Sequence, residues 1–319
     1  MKILITGGAG FIGSHLAESL LGRGHEVYVI DDLSTGTLEN IKHLMEHPKF
    51  HYRIDTIMDV MLMNDLVKVV DQIYHLAAAV GVQYIIDNPL ESLTTNVKGT
   101  EIVLELANKK KQKVFIASTS EVYGKHNKFP LSEEDDSIIG KTKISRWSYA
   151  CAKMLDEFLA LAYYREKALP VVIGRFFNVC GPRQSSRYGM VIPRFVKQAM
   201  MGNAISVYGD GKQSRCFAHV NDVVEGIIRL MEKDSCIGEI YNIGSNEEIS
   251  IGELAKKILK MTGSNSEIDI IPYDQAYEKG FEDMMRRVPS LEKIVDAVGY
   301  ERKFDLDSII DNVIKYNKK

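Results

Sequence analysis

Residues 6–13 read Thr6-Gly7-Gly8-Ala9-Gly10-Phe11-Ile12-Gly13 and decide the fold. They follow the apolar run Lys2 to Ile5. They open a helical pattern from Gly13 to about Arg23, with Ile12, Leu16, Leu20 and Leu21 on one face. Glycines at 7, 10 and 13 give G-x-x-G-x-x-G between a strand and a helix. Small residues there let the backbone approach a pyrophosphate, and the helix N-terminus offers free N–H groups and a positive dipole end. The loop, Phe11 and Ile12 included, is expected to hold a dinucleotide. The next apolar run, His25 to Ile30, ends at Asp31-Asp32. An acid at that place accepts hydrogen bonds from the adenosine ribose and repels a 2′-phosphate, which favours NAD over NADP. Asp31 is so placed. Asp32 either shares the role or caps the Ser34-Thr35-Gly36 turn, a turn counted with the cofactor site, and Asp55 suits an adenine-edge contact.

Outward from this unit the alternation continues. Asp71 to Leu76 reads as a strand, Thr94 to Lys109 as a helix, Lys113 to Ser118 as a strand, Ser148 to Lys167 as a long helix and Pro170 to Arg175 as another strand. Such order predicts an α/β fold, a Rossmann-type doubly wound parallel sheet. After Phe176, segments rich in Gly, Pro and Arg interrupt shorter elements. Asn221 to Lys233 looks helical and Ile240 to Ile243 like one more strand. We therefore expect a dinucleotide domain over 1–176 with a return over about 218–245. A smaller C-terminal α/β substrate domain takes 177–217 and 246–319.

The chain has 319 residues, 45% hydrophobic and 26% charged, with net charge −3. That suits a soluble globular protein and gives no general pull toward nucleic acid or anionic membrane. No apolar run reaches membrane-spanning length. Met1-Lys2-Ile3-Leu4-Ile5 enters a strand pattern at once, so no signal peptide is expected. Cys151, Cys180, Cys216 and Cys236 form no CxxC pair. They read as free thiols of a cytoplasmic protein, without a metal site.

Tyr149 and Lys153 lie one helical turn apart on one face of the long helix. A nearby ammonium and a positive nicotinamide would lower the phenol's pKa. Tyr149 would then accept a proton from a hydroxyl whose carbon loses hydride, and Lys153 would also hold the nicotinamide ribose. Alone, Y-x-x-x-K is a common pattern on a solvated helix face. Here it stands in order with TGGAGFIG at 6–13, HLAA at 75–78, NVKGT at 96–100, STSEVYG at 118–124, RFFNVCGPRQ at 175–184 and YGDGKQSRCFAHVND at 208–222.

This ordered set, spanning about two-thirds of the chain, resembles the extended short-chain dehydrogenase/reductase family of NAD-dependent nucleotide-sugar epimerases and dehydratases. The resemblance implies that Leu76, Ala77, Ala78 and Ala79 line the dinucleotide and that Ser118 faces the nicotinamide side. It implies that Thr119 bonds the hydroxyl being oxidised and that Asn178 and Arg215 meet the diphosphate. A guanidinium suits that last task, because it chelates phosphate oxygens. Val207-Tyr208-Gly209 would border the base, and the loop carrying Val80, Gln83 and Tyr84 would cover the sugar. In relatives the helices at 94–109 and 148–167 form a four-helix seam, so a homodimer is expected.

Family chemistry passes through a 4-ketone, and the groups near C5 and C6 decide its fate. Thr119-Ser120-Glu121 resembles the triplet of GDP-mannose 4,6-dehydratases and UDP-glucuronate decarboxylases. Glu121 would act as base, proton shuttle or water holder, or else form a structural salt bridge. Lys279-Gly-Phe-Glu-Asp-Met-Met-Arg-Arg-Val-Pro-Ser290 resembles the bacterial decarboxylase domain that acts on UDP-glucuronate, and Ser145-Arg-Trp147 echoes it. There the arginine matching Arg287 acts at the C5/C6 end of the sugar. In epimerases an arginine in a similar stretch binds the diphosphate, and Arg286 is a second candidate. Decarboxylation of UDP-glucuronate is the reading carried forward. A 4,6- or 5,6-dehydratase and a 4-epimerase stand as alternatives, and an NAD-binding sensor or scaffold is the non-enzymatic one.

Overall fold

The computed structural model describes residues 1–79, 81, 88–186, 190–276 and 282–318. Six strands arrive in chain order: β1 (Lys2–Thr6), β2 (Glu26–Asp31), β3 (Phe50–Ile54), β4 (Gln72–His75), β5 (Lys113–Thr119) and β6 (Val171–Phe176). The short strands β7 (Val179–Cys180), β8 (Ile205–Tyr208), β9 (Ser214–Cys216) and β10 (Ala218–His219) intervene before β11 (Ile240–Ile243) joins β6. The seven-stranded sheet has the order β11-β6-β5-β4-β1-β2-β3, with every pairing parallel. That is the doubly wound order, whose switch point falls between β1 and β4 and opens a crevice at the strands' carboxyl ends.

Both faces of the sheet are covered, which is why its inner strands read as continuous apolar runs rather than alternating ones. In β1, Ile3 and Ile5 pack toward α1 (Phe11–Gly22), and Leu4 points to the opposite core. That second core takes side chains from α2 (Val60–Val69), α3 (Pro89–Asn108) and α4 (Arg146–Lys167). A further core gathers α5 (Val191–Met200) with β8, and after them α7 (Ile251–Thr262) and α10 (Leu306–Asn317). Between these, α6 (Val220–Glu232) returns to pack on α1. Two strand pairs border this third core: β9 with β12 (Glu248–Ser250), antiparallel, and β8 with β13 (Ile268–Ile271), parallel. Short helices α8 (Tyr273–Ala276) and α9 (Glu292–Val298) complete the chain between β13 and α10.

Some boundaries differ from the sequence reading. Helix α3 starts at Pro89 rather than Thr94, with the proline in the first turn, where its missing N–H costs nothing. Strand β3 and helix α2 were not anticipated. β3 is the sheet edge and only Phe50 of its residues is buried, so it shows no apolar run to read.

Candidate active site

A cavity of about 510 Å³ opens along the carboxyl ends of the sheet. One end is made by Gly7, Gly10, Phe11, Ile12 and Gly13. Gly7 has φ +72°, and a Cβ on Gly13 would lie 2.2 Å from the Gly7 carbonyl oxygen. The turn therefore closes only with glycine at both places, which leaves the loop backbone bare toward the cavity. Asp31 accepts hydrogen bonds from the N–H of Ala9 (2.9 Å) and of Leu33 (2.8 Å), so it also ties the glycine loop to β2. Burial raises its carboxyl above the ordinary range, against these backbone bonds. Asp32 lines the cavity and caps the following turn through Ser34 N–H at 2.9 Å. Ser34, Thr35 and Asp55 line the wall as well.

Gly36 does not. It packs behind the wall, where a Cβ would sit 2.8 Å from Asp31 Oδ1 and 3.0 Å from the Ala9 carbonyl carbon. Asn40, which the sequence did not single out, lines the cavity and donates to the Ala9 carbonyl at 2.9 Å. Across the switch point come Leu76, Ala77, Ala78 and Ala79. Thr6 Oγ1 accepts from Ala77 N–H at 3.2 Å, and Asn96 Oδ1 from Ala79 N–H at 2.7 Å. A bare-backbone loop at a helix N-terminus, with an acid at the end of β2, fits NAD. Val80, Gln83 and Tyr84 lie outside the described residues.

In the middle of the cavity stand Ser118, Thr119, Ser120, Tyr149 and Lys153. Thr119 ends β5, and its Oγ1 accepts from Glu121 N–H at 3.2 Å, which turns the chain so that Glu121 also faces the cavity. The Ser118 hydroxyl donates to Glu157, itself held by Arg175 at 2.8 Å. Lys153 is 2% exposed and gives its ammonium to Asp156 at 3.1 Å. Tyr149 hydrogen-bonds Thr119. Burial, then the carboxylates of Glu121 and Asp156, push its phenol above the usual range. The lowered phenol expected from sequence counted the ammonium of Lys153 and a positive nicotinamide, but not the burial of the phenol or the carboxylates of Glu121 and Asp156.

The far end is an ionic chain. Glu121 accepts from Arg287 at 2.6 Å and pairs with Arg146 at 3.2 Å. Asp283 pairs with Arg146 at 3.0 Å and Arg215 at 2.9 Å, and accepts from the Tyr273 hydroxyl at 3.1 Å. Burial alone would raise Glu121, but Arg146 and Arg287 hold it below its ordinary value. Against the same burial, Arg215, Arg146 and Arg287 hold Asp283 at about 2. Burial draws Arg287 down to about 10, with Glu121 opposing. Among the described residues, this chain of ion pairs joins three guanidiniums to two carboxylates. Arg286, by contrast, is exposed, paired with Glu248 at 2.7 Å and stacked on Phe129. The structure thus separates the two arginines the sequence could not. Arg146 and Asp283 were not named as site residues; their signals were the Ser-Arg-Trp and Glu-Asp-Met-Met-Arg-Arg stretches.

Asn178 lines the cavity and donates to the Cys216 carbonyl at 3.0 Å. Tyr208 lines it with Arg194 over its ring at 4.1 Å. Val207 is a correction: alternation along β8 turns its side chain into the third core, fully buried, away from the cavity.

A family model described as GDP-mannose 4,6 dehydratase matches residues 4–313. A UDP-N-acetyl-alpha-D-glucosaminuronate decarboxylase of Bacillus cytotoxicus is 44% identical, over 99% of this chain and 97% of that one. UDP-glucuronic acid decarboxylase 1 of Xenopus tropicalis is 35% identical over 100% of this chain and 72% of its own. Among solved structures, UDP-glucuronic acid 4-epimerase of Bacillus cereus, in complex with UDP-glucuronic acid and NAD, superposes with a TM-score of 0.89. It is 29% identical and covers 100% of this chain and 99% of its own. A dTDP-glucose 4,6-dehydratase of Bacillus anthracis with NAD gives a TM-score of 0.87 at 29% identity, over 100% of this chain and 96% of its own. With a glycine loop, an acid after β2 and a Tyr149/Lys153 pair in one cavity, the chain belongs to the extended short-chain dehydrogenase/reductase family, as an NAD-dependent enzyme of nucleotide sugars.

Proposed function

We propose that this enzyme oxidises C4 of a UDP-linked hexuronate and then removes the C6 carboxylate as carbon dioxide. The observation that carries the reading is Arg287. It is buried, lines the cavity beyond Tyr149 and Thr119, and its Nε has no partner among the described residues. A guanidinium that lines the cavity, within an ionic chain of three guanidiniums and two carboxylates, suits a substrate carboxylate. The decarboxylase names of the relatives point the same way.

The chemistry that bound NAD supplies is acceptance of hydride from C4 and its later return. Gly7, Gly10 and Gly13 would hold the pyrophosphate, Asp31 the adenosine ribose and Lys153 the nicotinamide ribose. Thr119 holds the C4 hydroxyl, and Tyr149 takes its proton as the ketone forms. The 4-ketone makes the uronate a β-keto acid. Its C5–C6 bond breaks, the electron pair passes into the C4–C5 enolate, carbon dioxide departs and C5 takes up a proton from solvent water. Arg287 orients the carboxylate. Glu121, kept ionised by its two arginines, fixes Arg287 and Arg146 against the sugar. Asn178 and Arg215 would meet the diphosphate, and Tyr208 the base.

We further propose that residues 177–217 and 246–319 form the nucleotide-sugar domain and that α3 and α4 form a homodimer seam. Leu90 (79% exposed), Leu93, Leu155 and Phe158 (70% exposed) supply apolar surface on those two helices. The four unpaired cysteines, three of them buried, support a reducing, cytoplasmic setting.

The test incubates the protein and NAD separately with UDP-glucuronate, UDP-N-acetylglucosaminuronate, UDP-glucose and GDP-mannose, each followed by mass spectrometry and NMR. Loss of carbon dioxide from a uronate is expected. Loss of water from any donor would make the enzyme a dehydratase. An unchanged mass with an inverted C4 centre would make it an epimerase.

A further inference from the structure

Tyr149, Lys153 and Asp156 follow one another at i, i+4 and i+7 on α4 and share a face. Asp156 is 0% exposed, Lys153 is 2% exposed, and the ammonium lies 3.1 Å from Asp156 Oδ2. The other carboxylate oxygen, Oδ1, is buried without a hydrogen-bond partner among the described residues. We propose that Asp156 is a positioning residue for proton transfer: it holds Lys153 and tempers the positive charge that Lys153 presents to Tyr149.

Each element around the triad contributes known charges. From the turn after β5, Glu121 faces Tyr149, and Arg287 faces it from the C-terminal segment. His75, at the end of β4, feels the Lys153 charge, is buried, and bonds Thr6 at 2.8 Å and Thr100 at 3.1 Å. Thr100, on α3, lies beside Asp156 and gives its hydroxyl proton to the Asn96 carbonyl at 2.9 Å. Glu157 lies beside Asp156 but is matched by Arg175 of β6 at 2.8 Å. On the distal part of α3, Glu101 and Glu105 face Tyr163. Asp156 is thus the acid that stands directly on Lys153. The negative charge it adds raises the Tyr149 phenol, in the sense opposite to Lys153.

The inference rests on Tyr149 being the proton acceptor. The experiment follows NADH formation by holoenzyme against pH in rapid mixing with the accepted uronate, together with the carbon-13 resonance of the Tyr149 phenol, assigned by its loss in Tyr149→Phe. In Asp156→Asn both the acid limb of the rate and the phenol titration should move down by about one pH unit, with NAD content unchanged. Asp156→Ala, which removes the carboxyl altogether, should move them in the same direction and provides the test if the Asn variant fails to fold. A uniform fall in rate at every pH with neither titration displaced, or an upward displacement, would overturn the proposal. Tyr149→Phe separates the two levels. If that variant turns over normally, the proton acceptor itself is misassigned. If it is inactive while Asp156→Asn leaves both titrations in place, only the role of Asp156 is lost.

Discussion

At one end of the cavity, Gly7, Gly10 and Gly13 come from a single stretch of chain, packed so that a Cβ on Gly13 would meet Gly7 O at 2.2 Å. At the other end, Glu121, Arg146, Arg215, Asp283 and Arg287 come from four separate segments, joined by ion pairs of 2.6 to 3.2 Å. The first site is backbone, shaped by the absence of side chains. The second is side-chain charge, shaped by burial. Backbone geometry of this kind tolerates no substitution, because the neighbouring atoms are main chain and cannot swing aside. A charge network fails by degrees, according to which partner is removed and how deeply it is buried.

The sharpest test of that contrast is Gly13→Val. It should abolish NAD retention and all turnover, with overpacking lowering stability by about 3 kcal/mol; a variant that purifies with NAD would show that the loop can relax. Tyr149→Phe, between the two ends, should lower turnover by about 10²- to 10⁴-fold while NAD stays bound, read by rapid-mixing kinetics. Arg287→Ala should cost at least about tenfold in kcat/KM for a uronate and spare binding of UDP alone by calorimetry, as expected when one charged hydrogen bond is lost. Equal loss of UDP binding would move Arg287 to the diphosphate.

Asp283→Asn leaves Arg215 and Arg146 short of a partner and should destabilise the fold by about 3 kcal/mol at neutral pH. The pH dependence has a definite sign. Asp283 is held at about 2 against an ordinary 3.8, so its contribution is complete above the unfolded value and disappears as pH falls toward the folded one. The gap between wild type and variant in acid unfolding should therefore close between about pH 4 and pH 2. The smallest effect belongs to Arg286→Ala. Its exposed pair with Glu248 should contribute less than about 1 kcal/mol, and turnover should be unchanged.

How far the sequence could be read depends on the same division. The glycine loop, the acid after β2 and the Tyr149/Lys153 spacing are local patterns, and all of these residues line one cavity. The seven-stranded parallel order comes from alternating apolar runs and helices, except at β3, where an edge strand with one buried residue carries no periodic signal. Gly36 and Val207 show the limit of reading by neighbourhood. Each sits beside cavity residues in the chain, yet one packs behind the glycine loop and the other points into a core.

By itself the sequence determined the doubly wound sheet, the dinucleotide loop and the placing of Tyr149 one turn before Lys153, because each is signalled by a pattern of residues close in the chain. Only the tertiary structure decided between Arg286 and Arg287 and brought Arg146 and Asp283 to the site. Those outcomes depend on which side chains are buried together, and burial, by removing water from around a charge, gives distant residues their hold on one another.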